Sequence, residues 1–314
     1  MAKILVTGGT GFVGSHLTEK LVAGGHEVTV IDNLTHGTAE NIHAVIRDVN
    51  LIEADILDAE ALKTAVSGKE YVFHLAANTS VNISLKKPSW SAMQNVIATI
   101  KLLEAAVKYN VKRVIFSSSA AVYGYCDALP IKETEPLLPA SPYGLEKVTG
   151  ENYMRLFAGL HDVDTVSLRY FNLYGPRQNA DLPHPGGVTI VINQIRENRR
   201  SQLLGDGKQT RDMIYVEDVV NANLLAMKKE SRLGGASYNV STGKSVVIAD
   251  MHEKISELMG IKSTREYLPL PEGNIIHSLG DNSLAKKDLG FEVQTDLEEG
   301  LKKTIKDTLR NNAG

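Results

Sequence analysis

Along the first half of the chain, short apolar runs alternate with longer stretches whose apolar residues recur every three or four positions. Lys3-Ile4-Leu5-Val6-Thr7 reads as a strand, and residues 12–23 as a helix with Phe12, Val13, His16, Leu17, Lys20 and Leu21 on one face. Strands are expected over 28–31, 50–54, 71–75, 113–116 and 165–169, and helices through 97–107 and from Tyr143 to about Leu160. The 113–116 strand runs into three serines, Ser117 to Ser119. Strands alternating with helices imply an α/β fold, a doubly wound parallel sheet with right-handed crossovers and helices on both faces. The apolar runs suit strands buried on both sides.

The texture changes after Gly175-Pro176. Residues 179–187 are rich in Pro, Gly and His and read as a loop, and the elements beyond are shorter. Two domains are expected: 1–175, and a smaller C-terminal α/β lobe, 176–314, that binds substrate. Strands at 213–216 and 238–240 are candidates to return to the main sheet.

Composition narrows the class. The chain has 314 residues, 43% hydrophobic and 23% charged, the balance of an ordinary globular protein able to bury a large core. Cys126 is the single cysteine, so no intramolecular disulfide forms and a cytoplasmic location is expected. The apolar start, Met1 to Val6, is too short for a signal peptide, and no run reaches membrane-spanning length. With a net charge of −3 and scattered Lys and Arg, no nucleic-acid partner is expected.

Thr7-Gly8-Gly9-Thr10-Gly11-Phe12-Val13-Gly14 lies between the first strand and the first helix. Glycines there allow a tight turn, close backbone approach to a pyrophosphate, and close packing of helix on strand. The helix N-terminus then offers free N–H groups to the anion. Asp32 ends the second strand, 18 positions after Gly14, where a carboxylate binds the adenosine ribose hydroxyls and repels a 2′-phosphate. The cofactor expected is therefore NAD, on a Rossmann-type sheet.

Tyr143 and Lys147 are spaced i and i+4, on one face of a helix. A nearby ammonium, together with the positive nicotinamide ring, favours the phenolate and lowers the tyrosine pKa, so the pair is expected to act as general base and acid. Ser119, at a strand's carboxyl end, is placed to hydrogen-bond the reacting hydroxyl.

These elements together resemble the extended short-chain dehydrogenase/reductases, and within them the nucleotide-sugar 4-epimerases. The resemblance spans most of the chain. Besides the glycine turn it rests on Asp32-Asn33, Asp55-Ile56, His74-Leu75-Ala76-Ala77, Ser117 to Gly124, Ser141-Pro142-Tyr143-Gly144 with Lys147, Arg169 to Arg177, Gly205-Asp206-Gly207 and Arg211-Asp212. It implies a cofactor site of Gly8, Gly11, Phe12, Val13, Gly14, Asp32, Asn33, Asp55, Ile56, Leu75, Ala76, Ala77, Asn95, Ser117, Tyr143, Lys147 and Tyr170. It implies a substrate side of Thr79, Ser119, Asn172, Arg211 and Ser278, with Asn172 and Arg211 on the diphosphate. Asn95 could instead cap a helix turn, and Arg211 could be a surface ion pair.

Relatives that dehydrate or decarboxylate the sugar carry an acidic residue just before the Val-Tyr-Gly; here Ala120 and Ala121 stand there. Oxidation at C4 and return of the hydride is then the simplest chemistry. The chain departs from the epimerase pattern at Pro271-Glu272-Gly273-Asn274, where many relatives have Arg-x-Gly-Asp to grip the nucleotide. Uridine follows from the family alone. Ser278, small where a tyrosine narrows the sugar pocket in relatives, points to room for a 2-N-acetyl group. Thr79 and Ser80 keep a glucuronate epimerase open. An NAD-linked reductase or dehydrogenase and a non-catalytic NAD-binding scaffold remain alternatives. A homodimer through the 97–107 and 143–160 helices is expected by resemblance. His36, His74 and His184 have no metal spacing and read as core or loop residues.

Overall fold

The computed structural model describes residues 1–178, 186–197, 200–269 and 275–310. Strand β1 (Lys3–Thr7) sets the plan. Its side chains alternate, so Ile4 and Val6 enter one core and Leu5 the other. Around it lie β2 (Glu27–Asp32), β3 (Val49–Glu53), β4 (Tyr71–His74), β5 (Arg113–Ser119), β6 (Asp164–Tyr170) and the strand Ala236–Val240. They form a seven-stranded sheet, ordered β3-β2-β1-β4-β5-β6 and then Ala236–Val240, with every pairing parallel. The order reverses between β1 and β4, which opens a crevice above their carboxyl ends.

Helices cover both faces. Helix α1 (Phe12–Ala23) packs Leu17 and Leu21 on one side with the helix Val216–Lys228. On the other side lies α2 (Ala59–Val66). Next come α3 (Val81–Lys86), α4 (Pro88–Ala92), the π-helical turn Met93–Ile97, α5 (Ala98–Lys108) and α6 (Pro142–Leu160).

The expected strands are all present, differing by up to three residues at their ends, and the serines belong to β5, where Ser117, Ser118 and Ser119 pair with Leu168, Arg169 and Tyr170. The two candidates for return to the sheet part company. Ala236–Val240 pairs with β6, whereas Met213–Tyr215 pairs with Asn172–Tyr174 in a separate ribbon. Periodicity also passes over α2, whose eight residues make too short a window; Asp58 starts it by accepting from the Glu60 and Ala61 amides. Among the described residues no helix is long and apolar enough to cross a membrane.

Candidate active site

The turn after β1 is shaped by backbone sterics. Gly8 has φ +71°, and a Cβ there would stand 2.8 Å from the Ala76 amide nitrogen. A Cβ on Gly14 would overlap the Gly8 carbonyl oxygen. Gly11 precedes α1, and neither a side-chain cap nor an acidic residue occupies the first turn. The N–H groups there are left free for an anion. Asp32, 8% exposed at the tip of β2, is locked by the Thr10 amide at 3.0 Å and the Leu34 amide at 2.9 Å.

These residues open onto a cavity of about 420 Å³. All the residues expected to hold the cofactor line it except Asn95. Asn33 donates to the Asp55 carboxylate at 3.0 Å, tying together the β2 and β3 loops at one end. Thr79, Ser119, Tyr143 and Lys147 lie along the same cavity. Sequence reasoning missed Asn78, Trp90, Gln94, Arg177 and Gln178, which also line it. Trp90, the single tryptophan, was a usable signal; the others sit in turns with no periodicity to mark them.

Helix α6 begins where Ser141 accepts from the Gly144 amide at 3.1 Å, with Pro142 in the first turn. That start sets Tyr143 and Lys147 on the face toward β5. Lys147 Nζ donates to the Ser117 carbonyl at 2.7 Å and lies 5.8 Å from the centre of the Tyr143 ring. Ser119, whose hydroxyl accepts from the Ala121 amide at 3.2 Å, stands near enough to the Tyr143 hydroxyl to pull its pKa downward. The expected lowering of the phenol does not come from the chain's own groups. Burial pushes Tyr143 up to about 12, against a downward pull from Ser119, and the same burial brings Lys147 down to about 8.

His74 is a core residue. Thr7 Oγ1 accepts from the Leu75 and Ala76 amides, so its proton goes to His74 Nδ1 at 2.9 Å. His74 Nε2–H then donates to Thr99 Oγ1, which donates to the Asn95 carbonyl. Burial, with the charge of Lys147, pulls this histidine down to about 3 and keeps it neutral. His36 lies on the cavity wall and His184 outside the described residues.

The remaining expected residues stand off the cavity. Asn95 neither caps a helix nor lines the cofactor wall: its side-chain amide holds the Asn78 backbone N–H at 2.8 Å and C=O at 2.9 Å, because the π-helical turn aims it inward. Asn172 donates through both its backbone N–H and its side chain to the Asp212 carbonyl. Arg211 is no surface ion pair; its guanidinium meets the carbonyls of Thr210, Ile275 and Ile276, and burial draws it below its ordinary value. Ser278 is 9% exposed and donates its backbone N–H to the Thr210 carbonyl, which puts it beside Arg211. Residues 271–274 lie outside the described residues.

The sequence model of the NAD dependent epimerase/dehydratase family matches residues 4–241. The chain belongs to that family. It is 38% identical over 309 residues to a UDP-glucose 4-epimerase of Mycolicibacterium smegmatis, covering 96% of this chain and 97% of the relative. Two solved structures share its fold at 38% identity. The UDP-N-acetylglucosamine 4-epimerase of Methanobrevibacter ruminantium, in complex with UDP-N-acetylmuramic acid, superposes with a TM-score of 0.94 over 99% of both chains. The UDP-glucose 4-epimerase of Thermotoga maritima with UDP-glucose gives 0.93 over 98% of this chain and 99% of that one. As in its family, the cofactor is NAD, and the residues fit it: a glycine turn that no Cβ could share, open N–H groups at α1, and a fixed carboxylate at the tip of β2.

Proposed function

We propose that this family member is a UDP-sugar 4-epimerase acting on UDP-glucose and UDP-galactose and on their 2-N-acetylated forms. The observation that carries the reading is the meeting of Ser119, Tyr143 and Lys147 on the wall of the NAD cavity, with only alanines in the turn after Ser119. Bound NAD supplies a hydride acceptor at C4 and, when oxidised, a positive charge that favours the Tyr143 phenolate. Tyr143 takes the proton of the sugar 4-hydroxyl and later returns it. Ser119 holds that hydroxyl in line with Tyr143, and Lys147 stabilises the phenolate from the helix turn behind it. No carboxylate in the Ala120-Ala121 turn stands ready to drive elimination or decarboxylation.

Residues 1–175 are the cofactor domain in this reading and 176–314 supply the nucleotide-sugar side. Among the described residues the partners of Arg211 are carbonyls, which leaves donors for a diphosphate. Ser278 keeps the sugar end wide enough for an N-acetyl group. Two copies pair through α5 and α6: Leu145, Leu156 and Leu160 on α6, with Met93 just before α5, stand exposed and apolar.

The purified protein, with no NAD added, is incubated separately with UDP-galactose, UDP-N-acetylgalactosamine and UDP-glucuronate, and the products are identified by NMR. The first two are expected to give their 4-epimers with no net NADH. A requirement for added NAD, or net NADH, would replace the epimerase by a dehydrogenase; turnover of the glucuronate alone would move the specificity to Thr79.

A further inference from the structure

Helix α6 carries two buried carboxylates one helical turn and a residue apart, and they are treated differently. Glu151 is answered by a cation. Arg169 meets it with Nε at 2.9 Å and Nη2 at 2.6 Å, and Ser118 and Ser237 add hydroxyl donors. Among the described residues Glu146 has neutral donors only. Its Oε2 accepts from Ser91 Oγ at 2.9 Å and from Asn95 Nδ2 at 2.5 Å, and its Oε1 is buried with no hydrogen-bond partner among the described residues. A carboxylate held this way keeps a large desolvation cost unless another charge offsets it.

The donors of Glu146 form a closed ring. Asn78 Nδ2 donates to Ser91 Oγ at 3.0 Å, Ser91 donates to Glu146, Asn95 donates to Glu146, and Asn95 holds both backbone groups of Asn78. Asn78 and Thr79 are cavity wall. Glu146 therefore sits at the end of a chain of donors that begins on the cofactor side.

It also precedes Lys147 directly on α6, and both side chains are buried. On α6 that ammonium is surrounded by Tyr143, Glu146 and Glu151. From β5 it meets the Ser117 carbonyl and, at 4.8 Å, the Phe116 ring. On β4 stands His74, neutral; on β6 stand Arg169, spent on Glu151, and Tyr170, whose hydroxyl is engaged with Asn223. Among these charges Glu146 opposes the effect of burial on Lys147 most, ahead of Glu151. The same charge pushes Tyr143 upward.

We propose that Glu146 is a positioning residue: its carboxylate closes the Ser91–Asn78–Asn95 ring behind the cofactor cavity and supplies the negative charge, with no cation in hydrogen-bond reach among the described residues, that keeps Lys147 an ammonium beside Tyr143. The role rests on the epimerase reading only for its kinetic readout.

Glu146→Gln keeps the shape and both acceptor bonds and removes the charge. Both limbs of the pH–rate profile are expected to move to lower pH, by about half a unit or more, because one charge raises both groups. NAD content and KM stay within about twofold, as a purely electrostatic change requires. A second readout needs no sugar: the phenolate absorbance of the NAD-loaded protein, taken as the difference from Tyr143→Phe across the pH range. Its midpoint falls in Glu146→Gln and returns in Glu146→Asp. If Glu146→Gln does not fold, Glu146→Ala, which admits water to Ser91 and Asn95, is read the same way. A titration that superposes on wild type overturns the proposal, as does a uniform loss of rate with no shift in pH. A shifted titration in a protein that turns over no UDP-sugar upholds this role and removes the epimerase reading instead.

Discussion

On the cofactor side, the lining residues come from the carboxyl ends of β1 to β6, and backbone does most of the shaping: the turn at Gly8–Gly14, the free N–H groups of α1, the Leu75 to Ala77 main chain beside Gly8. On the side proposed for the sugar, Asn172, Arg211 and Ser278 come from three short pieces of chain, held to one another through backbone carbonyls of Asp212, Thr210, Ile275 and Ile276. Asp212 is the hub there, its carboxylate accepting from the Thr242, Gly243 and Gly280 amides and the Thr242 hydroxyl. One side rests on the carboxyl ends of one continuous parallel sheet, starting from a strand–turn–helix motif. The other is assembled across about a hundred residues, from Asn172 to Ser278. The first suits a permanent occupant and the second one that comes and goes.

Tests of that contrast run from large effects to small. Tyr143→Phe should leave both sides intact and remove the chemistry: kcat falls by about a thousandfold or more, while NAD released on denaturation is unchanged. Gly14→Val breaks the cofactor side alone, since its side chain must displace the Gly8 carbonyl. The purified variant should carry less than about a tenth of the wild-type NAD, read by absorbance after acid release. Arg211→Ala breaks the sugar side alone and should raise KM for the UDP-sugar by about ten- to a hundredfold, with bound NAD unchanged. Loss of NAD in this variant would show that the two sides are not separable. Ser278→Tyr sharpens the sugar side further: kcat/KM for UDP-N-acetylgalactosamine should fall about tenfold relative to UDP-galactose. The smallest effect is from pH. Burial holds Lys147 at about 8, below its ordinary value, so its ammonium is lost as pH rises through that point, and initial rates should decline above it.

Much of the cofactor side was legible in the residues. Glycine spacing, the carboxylate at the end of β2 and the i, i+4 pair on α6 are local features, and each landed on the cavity. Asn95 sits in the expected neighbourhood but turns to the Asn78 backbone, because its direction depends on a π-helical turn that periodicity does not reveal. The strand at Met213–Tyr215 has the composition of a sheet strand and pairs elsewhere, since pairing partners are chosen across the fold. Glu146 lay in view between Tyr143 and Lys147 and drew no attention, for the sequence does not tell whether a helical glutamate is solvated.

The order of strands and helices, the glycine turn, NAD rather than its phosphorylated form, and the pairing of Tyr143 with Lys147 all follow from short-range sterics and periodicity, so they are carried by the residues in order along the chain. The charge states of the site are a different matter. That Tyr143 is pushed up to about 12 rather than down, and that among the described residues Arg211 meets carbonyls while one buried carboxylate of α6 has an arginine and the other has none, are results of which distant groups fold against them. Desolvation and pairing are sums over neighbours far apart in sequence, and those neighbours exist only once the sheet and its helices have closed.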